Sequence, residues 1–543
     1  MKIKKKILST TLLLSSLTLA ACGNGNSETS APDYELENVE FPVEEDVTLK
    51  IMTNSSPLAP ADPNDKLIYQ RLEEETGVHI EWTNYVDDFA EQRNLEIVSG
   101  GLPDAIWNAA ASDQDLISWA KNEVIIPVDD LVDKYMPNLK AIYDKRPEYK
   151  ELVTSPDGNM YSFPWIEELG EDKQSIHTVN GMAWINVEWL DNLGLDMPET
   201  TDELMTVLEA FKNDDPNGNG VADEIPLSFI DDGGNEDFKI LMAAFGGDGD
   251  NDNHLVVNND HTLNFTADDE EYRKGIEYFH ELYSKGLIDE EVFEQDWNAY
   301  VAKGNDHKFG VYFTWDKANI TGMNDSYDVL PVLAGPEGDK KITRTNNHGF
   351  SRDRLVITSA NQNLELTAKW IDKMYEPIQS VQNNWGTYGD EEQQNIFELG
   401  ENDAGEPMLH HLDLEGAAPG ELRQRTEVSG PLAILDEYFG VYTTMPDDAQ
   451  WRLDLMEEHY FDYIENENIY PPMFMSVEDA ERLAVIEADL IPYTYQKRAE
   501  WILGGVTDQD WEAYLKELER LNLSEFLEIR QKYYDAHIEG AED

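Results

Sequence analysis

The sequence predicts an α/β protein with a mostly parallel sheet and a helical C-terminal extension. Segments rich in β-branched and aromatic residues at 47–52, 78–85 and 102–107 alternate with helical patterns at 65–76 and 89–99. Strands that alternate with helices at this spacing are typical of βαβ units, which build parallel sheets. From residue 476 onward the pattern is almost entirely helical, so we expect the last part of the chain to be a helical extension on an α/β body.

The later elements are recognised by composition and by their caps. Residues 309–314 and 354–358 have the apolar, β-branched composition of strands. Ser476, Thr507 and Ser524 are the expected N-caps of three C-terminal helices, because Ser and Thr side chains accept hydrogen bonds from first-turn N–H groups.

The composition indicates a globular protein with a strongly acidic surface. The 543 residues include 40 Lys and Arg against 111 Asp and Glu, a formal net charge of −71, and 41% of them are hydrophobic. Such a surface repels phosphate backbones and anionic lipids, so we exclude nucleic acid as a partner and a basic patch as a means of membrane binding. Aromatic residues make up 10% of the chain, which excludes intrinsic disorder, and the single cysteine excludes an intramolecular disulfide framework.

The N-terminal segment is predicted to be a lipoprotein signal peptide over residues 1–21. Lysines precede an apolar stretch at 7–19, which is shorter than the roughly 20 residues needed to span a bilayer. The motif LAAC resembles a bacterial lipobox, in which Cys22 becomes the lipid-modified first residue of the mature protein. The alternative is an ordinary secretion signal with a chance cysteine. Residues 22–46 contain many acids and no Lys or Arg, which predicts a disordered acidic tether.

The most specific local motif is DPNGNGVADEIP at residues 215–226. Its oxygen-bearing side chains at positions 1, 3 and 5, its glycine at 6 and its acids at 9 and 10 suit a cation that takes six to eight oxygen ligands. Position 12 is Pro226 where an EF-hand has glutamate, and the alternative is a turn-rich linker. For a second acidic stretch, at 246–253, a solvated loop is the preferred interpretation, and another cation site is the alternative. We expect a structural calcium at 215–226 with the ligands Asp215, Asn217, Asn219, Asp223, Glu224 and the carbonyl of Val221.

Several longer segments resemble one known family. They are GGLPDAIW at 100–107, YSFPWIEE at 161–168, MAWINVEWLDNLGLDMPETTDEL at 182–204, YFHELYSKGLIDEEVF at 278–293 and AEWILGGVTDQDWEAYLKELERLNL at 499–523. Together with the lipobox and the 215–226 motif, they are similar to the bacterial family 1 extracellular solute-binding lipoproteins of ABC importers, in the subgroup of long carbohydrate binders. The resemblance implies the type 2 periplasmic-binding-protein fold, in which two α/β lobes joined by a hinge close on a ligand.

The resemblance also implies domains, partners and a location. Lobe 1 is expected over 47–168 and 345–435, lobe 2 over 169–344, and the C-terminal helical extension over 436–543. The implied function is to capture a carbohydrate, first of all an oligosaccharide, and to deliver it to the permease subunits of an ABC importer. The implied protein is a monomer, held at the extracellular face of a Gram-positive cell membrane by its lipid anchor alone. In related alginate and oligosaccharide binders the loop that matches 215–226 holds a calcium ion.

Most candidate ligand residues follow from the rule that ligands of α/β sheets bind outside the carboxyl ends of the strands. Trp165 and Trp184 are added because they lie at the presumed crossing between the lobes. Indole rings stack on the C–H faces of sugars while Asp and Asn bind hydroxyls, although each tryptophan could instead belong to the core. Arg344 lies in a basic cluster at 340–354, whose charges are expected mostly to pair with surface carboxylates. If some face the cleft, a uronic acid becomes plausible, but a neutral oligosaccharide is expected first. The expected ligand residues are Asn54, Ser55, Asp104, Trp107, Trp165, Trp184, Trp315, Asp316 and Arg344.

The sequence carries no recognisable catalytic motif. A G-x-S-x-G nucleophile elbow, an H-E-x-x-H zinc motif and a P-loop are all absent. Glycosidases use pairs of carboxylates, but a chain with 111 Asp and Glu contains many such pairs by chance. Their presence is therefore no evidence for a glycosidase. We therefore expect a binding protein that is not an enzyme. The alternatives are a secreted glycan-active enzyme and a surface sugar receptor that feeds a sensor.

Overall fold

The computed structural model describes residues 38–44, 47–171, 174–231, 233–323, 325–347, 349–391, 395–414 and 419–542. The chain divides into two units, residues 1–35 and 36–543, and the described residues belong to the second. The expected signal peptide at 1–21, the expected lipid attachment at Cys22 and most of the expected tether at 22–46 lie outside the described residues. Within them, no helix is both long enough and apolar enough to cross a bilayer.

The described part of the chain begins with alternating strands and helices and ends with helices. Its strands are β1 (Val47–Asn54), β2 (Val78–Tyr85), β3 (Ala105–Trp107), β4 (Phe163–Glu167), β5 (Gly170–Glu171), β6 (Gln174–Ser175), β7 (Met182–Asn186), β8 (Ile225–Leu227), β9 (Leu255–Val257), β10 (Leu263–Phe265), β11 (Phe309–Thr314), β12 (Tyr327–Val329), β13 (Phe350–Ile357), β14 (Phe397–Glu401), β15 (Pro407–His411) and β16 (Leu432–Ile434). Its helices are α1 (Leu67–Thr76), α2 (Phe89–Ser99), α3 (Asp113–Lys121), α4 (Asp129–Tyr135), α5 (Pro137–Lys145), α6 (Pro147–Val153), α7 (Val187–Leu193), α8 (Thr201–Asn213), α9 (Glu270–Ser284), α10 (Trp297–Asn305), α11 (Leu364–Asp372), α12 (Pro377–Trp385), α13 (Pro419–Thr426), α14 (Asp447–His459), α15 (Val477–Gly504), α16 (Asp508–Arg520) and α17 (Leu523–Glu542).

One half of the molecule is built on a six-stranded sheet with the strand order β16-β4-β13-β3-β1-β2. Strand β1 pairs in parallel with β2 and β3, and β16 pairs in parallel with β4. Strand β13 runs antiparallel between β3 and β4. The carboxyl ends of the other five strands therefore meet at one edge of the sheet. We call the body around this sheet lobe 1.

The other half is built on a four-stranded sheet with the order β12-β7-β11-β8. Strands β8 and β11 are parallel, whereas β7 is antiparallel to β11 and β12, so this sheet is mixed. Its core continues into the C-terminal helices, where Leu483, Ile486 and Leu490 of α15 present one apolar face at helical spacing. Burying each such side chain contributes about 1.5–3 kcal/mol, which holds α15 to α17 on this body. We call it lobe 2.

The chain passes twice between the two sheets and a third time from the lobe 1 sheet to α14, which packs on β7 of lobe 2, and we call these three crossings the hinge. They are the segments 168–181, 330–349 and 435–446, which lie between β4 and β7, between β12 and β13, and between β16 and α14. Two of them are tied together where the Thr345 N–H donates to the Thr178 carbonyl at 3.0 Å. The side chain of Thr345 also donates to the His177 carbonyl at 2.7 Å. The domain boundaries stated above remain a prediction.

Two of the three expected caps of the C-terminal helices are confirmed. Ser476 Oγ accepts from the Asp479 N–H at 3.2 Å, and Thr507 forms a capping box with Asp510. The third is wrong, because α17 begins at Leu523. Ser524 is then already inside the helix, where its hydroxyl donates to Glu519 Oε2 at 2.7 Å.

Residues 38–44, which belong to the expected tether at 22–46, make hydrogen bonds to lobe 1. The Val39 N–H donates to Glu365 Oε1 at 2.8 Å, and the Val39 carbonyl accepts from the Lys369 ammonium at 2.5 Å. The Val43 N–H donates to the carbonyl of Thr76 at the end of α1 at 2.9 Å. Residues 38–44 therefore pack on lobe 1, because they satisfy backbone and side-chain groups that the ends of α1 and α11 expose.

Candidate functional site

A cavity of about 330 Å³ lies at the carboxyl edge of the lobe 1 sheet. The expected ligand residues Asn54 and Ser55 border it, because β1 ends there. Ser55 Oγ donates to Asn84 Oδ1 at 2.9 Å, which ties the end of β1 to β2. The next parallel strand, β3, ends beside the same cavity, which Asn108 borders with φ = 50°.

The cavity also carries a balanced set of charges. Lys66 at the start of α1 and Arg354 on β13 are its cations, and Asp353 and Glu427 are its anions. Burial raises the pKa of Glu427 to about 7, although the ammonium of Lys66 opposes that shift. Burial likewise lowers the pKa of Lys66 to about 8, opposed by Glu427. Equal numbers of both signs in one cavity suit a neutral polar ligand better than an anion.

Two half-buried tryptophans, Trp165 and Trp315, lie one on each side of the hinge, outside the set of residues that line this cavity. The guanidinium of Arg354 lies 5.6 Å from the ring centroid of Trp165, on β4. The ring of His177 stands between the two indoles, 6.3 Å from Trp165 and 6.0 Å from Trp315. Trp315 follows the carboxyl end of β11 in lobe 2. The sequence predicted both tryptophans, and the structure brings them to the same region.

Hydrogen bonds fix Trp165 and link it to the hinge. Its Nε1–H donates to Asn384 Oδ1 at 2.8 Å, and Asn384 Nδ2 donates to Glu167 Oε1 at 2.6 Å. Glu167 Oε2 lies 3.1 Å from His177 Nε2. This series connects the end of α12, the end of β4 and the first hinge segment, so Trp165 is oriented before any ligand arrives.

Trp315 rests on a buried arginine of α14. The guanidinium carbon of Arg452 lies 3.6 Å from the Trp315 ring centroid, and its Nη1 donates to the Trp315 carbonyl at 2.5 Å. Burial lowers the pKa of Arg452 to about 9, opposed by Asp316. Asp316 itself is buried, which raises its pKa, and its Oδ1 accepts from the Ala318 N–H at 2.8 Å. The structure therefore gives Asp316 a capping role that leaves it little contact with a ligand.

Two tryptophans expected at the ligand site are core residues instead. Trp107 is 0% exposed, and its Nε1–H donates to the carbonyl of Val428 at 3.0 Å. Trp184 is 1% exposed and stacks on Trp451 with ring centroids 5.7 Å apart. A side chain without accessible surface cannot contact a sugar, so the structure corrects both expectations.

Asp104 and Arg344 were also expected at the ligand site, but the structure places both of them elsewhere. Asp104 precedes β3, and its Oδ2 accepts from the N–H of Lys50 near the start of β1. It therefore lies at the edge of the sheet opposite the carboxyl ends. Arg344 borders a separate cavity of about 750 Å³ between the hinge, α6 and α17, and its Nη1 donates to the Glu467 carbonyl at 2.8 Å.

Sequence reasoning missed several residues of the site. Asn108 could have been found, because it directly follows a strand at the correct edge. Arg354 was recognised as part of the basic cluster but was not selected. Glu427 and Asn384 reach the site from distant parts of the chain, and no local pattern marks them.

The 215–226 loop gathers oxygen atoms within a few residues. The N–H of Asn219 donates to Asp215 Oδ1 at 3.1 Å and to Asn217 Oδ1 at 2.9 Å, and its Nδ2 donates to Asp223 Oδ1 at 3.0 Å. The Oε1 atom of Glu224 is buried and finds no hydrogen-bond partner within the described ranges. Among the described residues, no three His, Cys, Asp or Glu side chains converge as metal ligands. A cation here would therefore need amide and main-chain oxygens as well as carboxylates, which this loop supplies.

The carboxylates of the second acidic stretch bind donors of lobe 2. Asp250 is 3% exposed, accepts from Thr266 Oγ1 at 2.6 Å and lies 2.9 Å from His254 Nδ1. Asp252 pairs with Lys239, and Asp248 accepts from Asn264. Gly247 and Asn253 are exposed and the Asp252 side chain is 44% exposed, so the expected solvated loop is correct only for part of this stretch.

Comparison with known proteins places this architecture in a family. Residues 60–381 match the family described as bacterial extracellular solute-binding protein. The chain is 65% identical over 538 residues, 99% of each chain, to the fructooligosaccharide ABC transporter substrate-binding protein FusA of Streptococcus pneumoniae serotype 4. A solved structure of S. pneumoniae FusA in complex with kestose has 66% identity and a TM-score of 0.87, and the match covers 91% of this chain and 100% of that chain.

A second solved structure, of a FusA EF-hand mutant in complex with fructo-nystose, has 65% identity, a TM-score of 0.87 and the same coverage. These matches confirm the expected fold, and the relatives are transporter binding proteins, which confirms a binding protein that is not an enzyme. The chain belongs to the bacterial extracellular solute-binding protein family.

Proposed function

We propose that this protein captures fructooligosaccharides such as kestose and delivers them to an ABC importer. The observation that carries the proposal is the cavity of about 330 Å³ at the carboxyl edge of lobe 1, whose Arg354 lies against half-buried Trp165, with Trp315 joined to Trp165 through the ring of His177. The relation to FusA, 65% identity over 99% of both chains, supports the same class of ligand. The permease partner, a monomeric state and anchoring through a lipid on Cys22 are parts of the same proposal.

The residues of the site have the chemistry that a neutral oligosaccharide requires. The indoles of Trp165 and Trp315 offer flat apolar faces for sugar C–H groups, and Asn54 and Asn108 offer amides for hydroxyls. Because Trp165 belongs to lobe 1 and Trp315 to lobe 2, a ligand that touches both favours lobe closure about the hinge. Arg344 lies at a different cavity, which removes the main argument for a uronic acid.

The proposal predicts direct binding of kestose that depends on the two tryptophans. In isothermal titration calorimetry we expect Trp165→Ala and Trp315→Ala each to weaken kestose binding about tenfold or more, or about 1.4 kcal/mol, since each loses a stacking face. Trp297→Ala is the matched control, because Trp297 is a 45% exposed tryptophan at the start of α10 and takes part in none of the contacts described for Trp165 and Trp315.

Two results would count against this function. One is the absence of kestose binding by the intact protein, and the other is an equal loss in all three tryptophan variants. Chromatography of the sugar after overnight incubation should recover it unaltered, whereas hydrolysis products would favour the enzyme alternative.

We infer that residues 215–226 hold a structural calcium ion. The ligands would be the side chains of Asp215, Asn217, Asn219, Asp223 and Glu224 and the carbonyl of Val221. The buried, unpartnered Oε1 of Glu224 supports this assignment, and so does the EF-hand of FusA that the mutant structure names. The loop precedes β8 and therefore lies at its amino end, whereas Trp315 follows the carboxyl end of the parallel strand β11.

Removal of calcium is accordingly expected to lower stability and to leave the sugar site intact. EDTA should lower the melting temperature, and added calcium should restore it, because an ion that binds only the folded state stabilises that state. Asp215→Ala should show the lower melting temperature without responding to EDTA, while its kestose affinity at low temperature stays near that of the parent protein. No response of the parent protein to EDTA, after metal analysis, would contradict the assignment.

A further inference from the structure

Glu427 and Arg354 border the lobe 1 cavity, and among the described residues their side chains make no hydrogen bond. Among the described residues, the Glu427 carboxylate receives no hydrogen bond, although its main-chain carbonyl accepts from the Lys66 ammonium at 2.5 Å. The Nε atom of Arg354 is buried and has no hydrogen-bond partner in the part of the chain that the structure describes. Buried polar groups in folded proteins are nearly always hydrogen-bonded, and unmatched ones cost stability. Both residues are half-buried, so a ligand in the cavity can reach their charged ends and supply the missing partners.

The two groups are complementary to adjacent hydroxyls of a sugar ring. A hydroxyl can donate one hydrogen bond and accept others, whereas a carboxylate only accepts and a guanidinium only donates. One hydroxyl can therefore donate to Glu427 while its neighbour accepts from Arg354. Bonds to ionised groups are roughly twice as strong as neutral ones, so this pair would be a main source of affinity.

We propose that Glu427 and Arg354 bind one ring of the fructooligosaccharide, and that binding by ionised Glu427 makes capture of the sugar depend on pH. The proposal rests on the function proposed above and deepens it. It assigns the recognition of hydroxyls to residues that no local sequence pattern marks.

The direction of the pH dependence follows from the environment of Glu427. Burial raises its pKa to about 7, so in the free protein the carboxyl is about half protonated at neutral pH. Only the ionised form accepts a hydroxyl at both oxygens, so affinity is complete above this pKa and is lost as the pH falls through it. The charged and titratable groups that face Glu427 are Lys66 from the start of α1, Arg354 and Asp353 from β13, Arg423 from α13 and Glu167 from β4.

The size of the effect follows from the fraction of ionised Glu427. With a pKa of about 7, that fraction is about one tenth at pH 6 and about nine tenths at pH 8, and the apparent dissociation constant scales inversely with it. We therefore expect kestose to bind about tenfold more tightly at pH 8 than at pH 6. Binding at pH 6 should release close to one proton per sugar, and binding at pH 8 should release almost none.

Isothermal titration calorimetry of the intact protein with kestose at pH 6, 7 and 8 tests the predicted pH dependence. Repeating each titration in two buffers of different ionisation enthalpy gives the number of protons released. Glu427→Gln should bind about tenfold more weakly than the parent at pH 8, and its affinity should not change with pH. Glu401→Gln, which removes the same charge from an exposed position on β14, should keep the parent profile. Thermal unfolding of each variant verifies that it is folded.

The outcomes separate the two proposals. Binding by the parent with a flat pH profile, or a pH profile that survives in Glu427→Gln, overturns this inference and leaves the proposed function standing. Absence of kestose binding at every pH overturns the proposed function, and this inference with it.

Discussion

Replacing Arg498 with methionine is expected to lower the free energy of unfolding by about 3–5 kcal/mol. Arg498 of α15 is 1% exposed and donates to Asp237 Oδ2 at 2.7 Å and to Asp231. Its guanidinium carbon also lies 4.5 Å from the ring centroid of Tyr495 and 4.9 Å from that of Phe238. Burial alone lowers its pKa, but the two carboxylates outweigh burial and hold the pKa above its usual value.

The large effect follows from what the substitution leaves behind. Without the guanidinium, the carboxylate of Asp237, which is 3% exposed, loses its main counter-charge. An unpaired buried charge lowers the free energy of unfolding more than the loss of a surface ion pair does. Because α15 carries the C-terminal extension on lobe 2, we expect α15 to loosen first. Urea unfolding measures the loss. Arg482→Met is the matched control on the same helix, since its pair with Glu525 is over one third exposed and should contribute about 0–1 kcal/mol.

A double variant distinguishes charge burial from lost packing. Adding Asp237→Asn to Arg498→Met removes a buried charge and should recover part of the stability. Equal losses in Arg498→Met and Arg482→Met would show that the buried ion pair is not a determinant of stability. No recovery in the double variant would attribute the loss to packing.

Replacing Arg452 with methionine is expected to weaken kestose binding about ten- to hundredfold, or about 1.4–2.8 kcal/mol. Its Nη2 donates to the carbonyls of Val179 and Asn180 at 2.5 and 2.6 Å, and its Nη1 donates to that of Trp315. These bonds join α14 to the first hinge segment and to Trp315. The Arg452 guanidinium also stacks on the Trp315 ring, 3.6 Å from its centroid. Without them the Trp315 indole loses its support, and the ligand has to order it.

Arg452→Lys separates geometry from charge. Lysine keeps the positive charge but lacks the planar fork that reaches several carbonyls and stacks on indole, so it should bind kestose almost as poorly as Arg452→Met. Calorimetry measures affinity, and tryptophan fluorescence reports the loss of order around Trp315. Full kestose affinity in Arg452→Lys would show that a positive charge beneath Trp315 is enough for binding and that the guanidinium geometry is not needed.

Much of the fold could be predicted because its signals are local. The strand at 309–314 and the caps at Ser476 and Thr507 follow from short patterns, which the structure reproduces as β11, α15 and α16. The misplaced cap at Ser524 lies only two residues beyond Asn522, the residue before α17. Helix ends fray and their boundaries vary by one or two residues, so a local pattern locates a helix more accurately than its first residue.

The site was predicted less completely, and the errors have one cause. Asn54 and Ser55 were found because the end of a parallel strand marks the ligand side of a sheet. Trp107 was wrong although it ends β3, because Tyr69, Trp82 and Trp370 surround its ring. A short apolar strand gives no alternation from which to tell a buried face from an exposed one.

The sequence by itself determined the α/β class, the family, the helical extension and the loop at 215–226, because each is encoded by neighbouring residues. The tertiary structure decided which tryptophans remain accessible and which charges share a cavity. Glu427 meets Lys66 and Arg354 only after lobe 1 has assembled from two distant stretches of chain. Burial and charge pairing depend on such long-range contacts, so they are properties of the folded molecule that no local pattern contains.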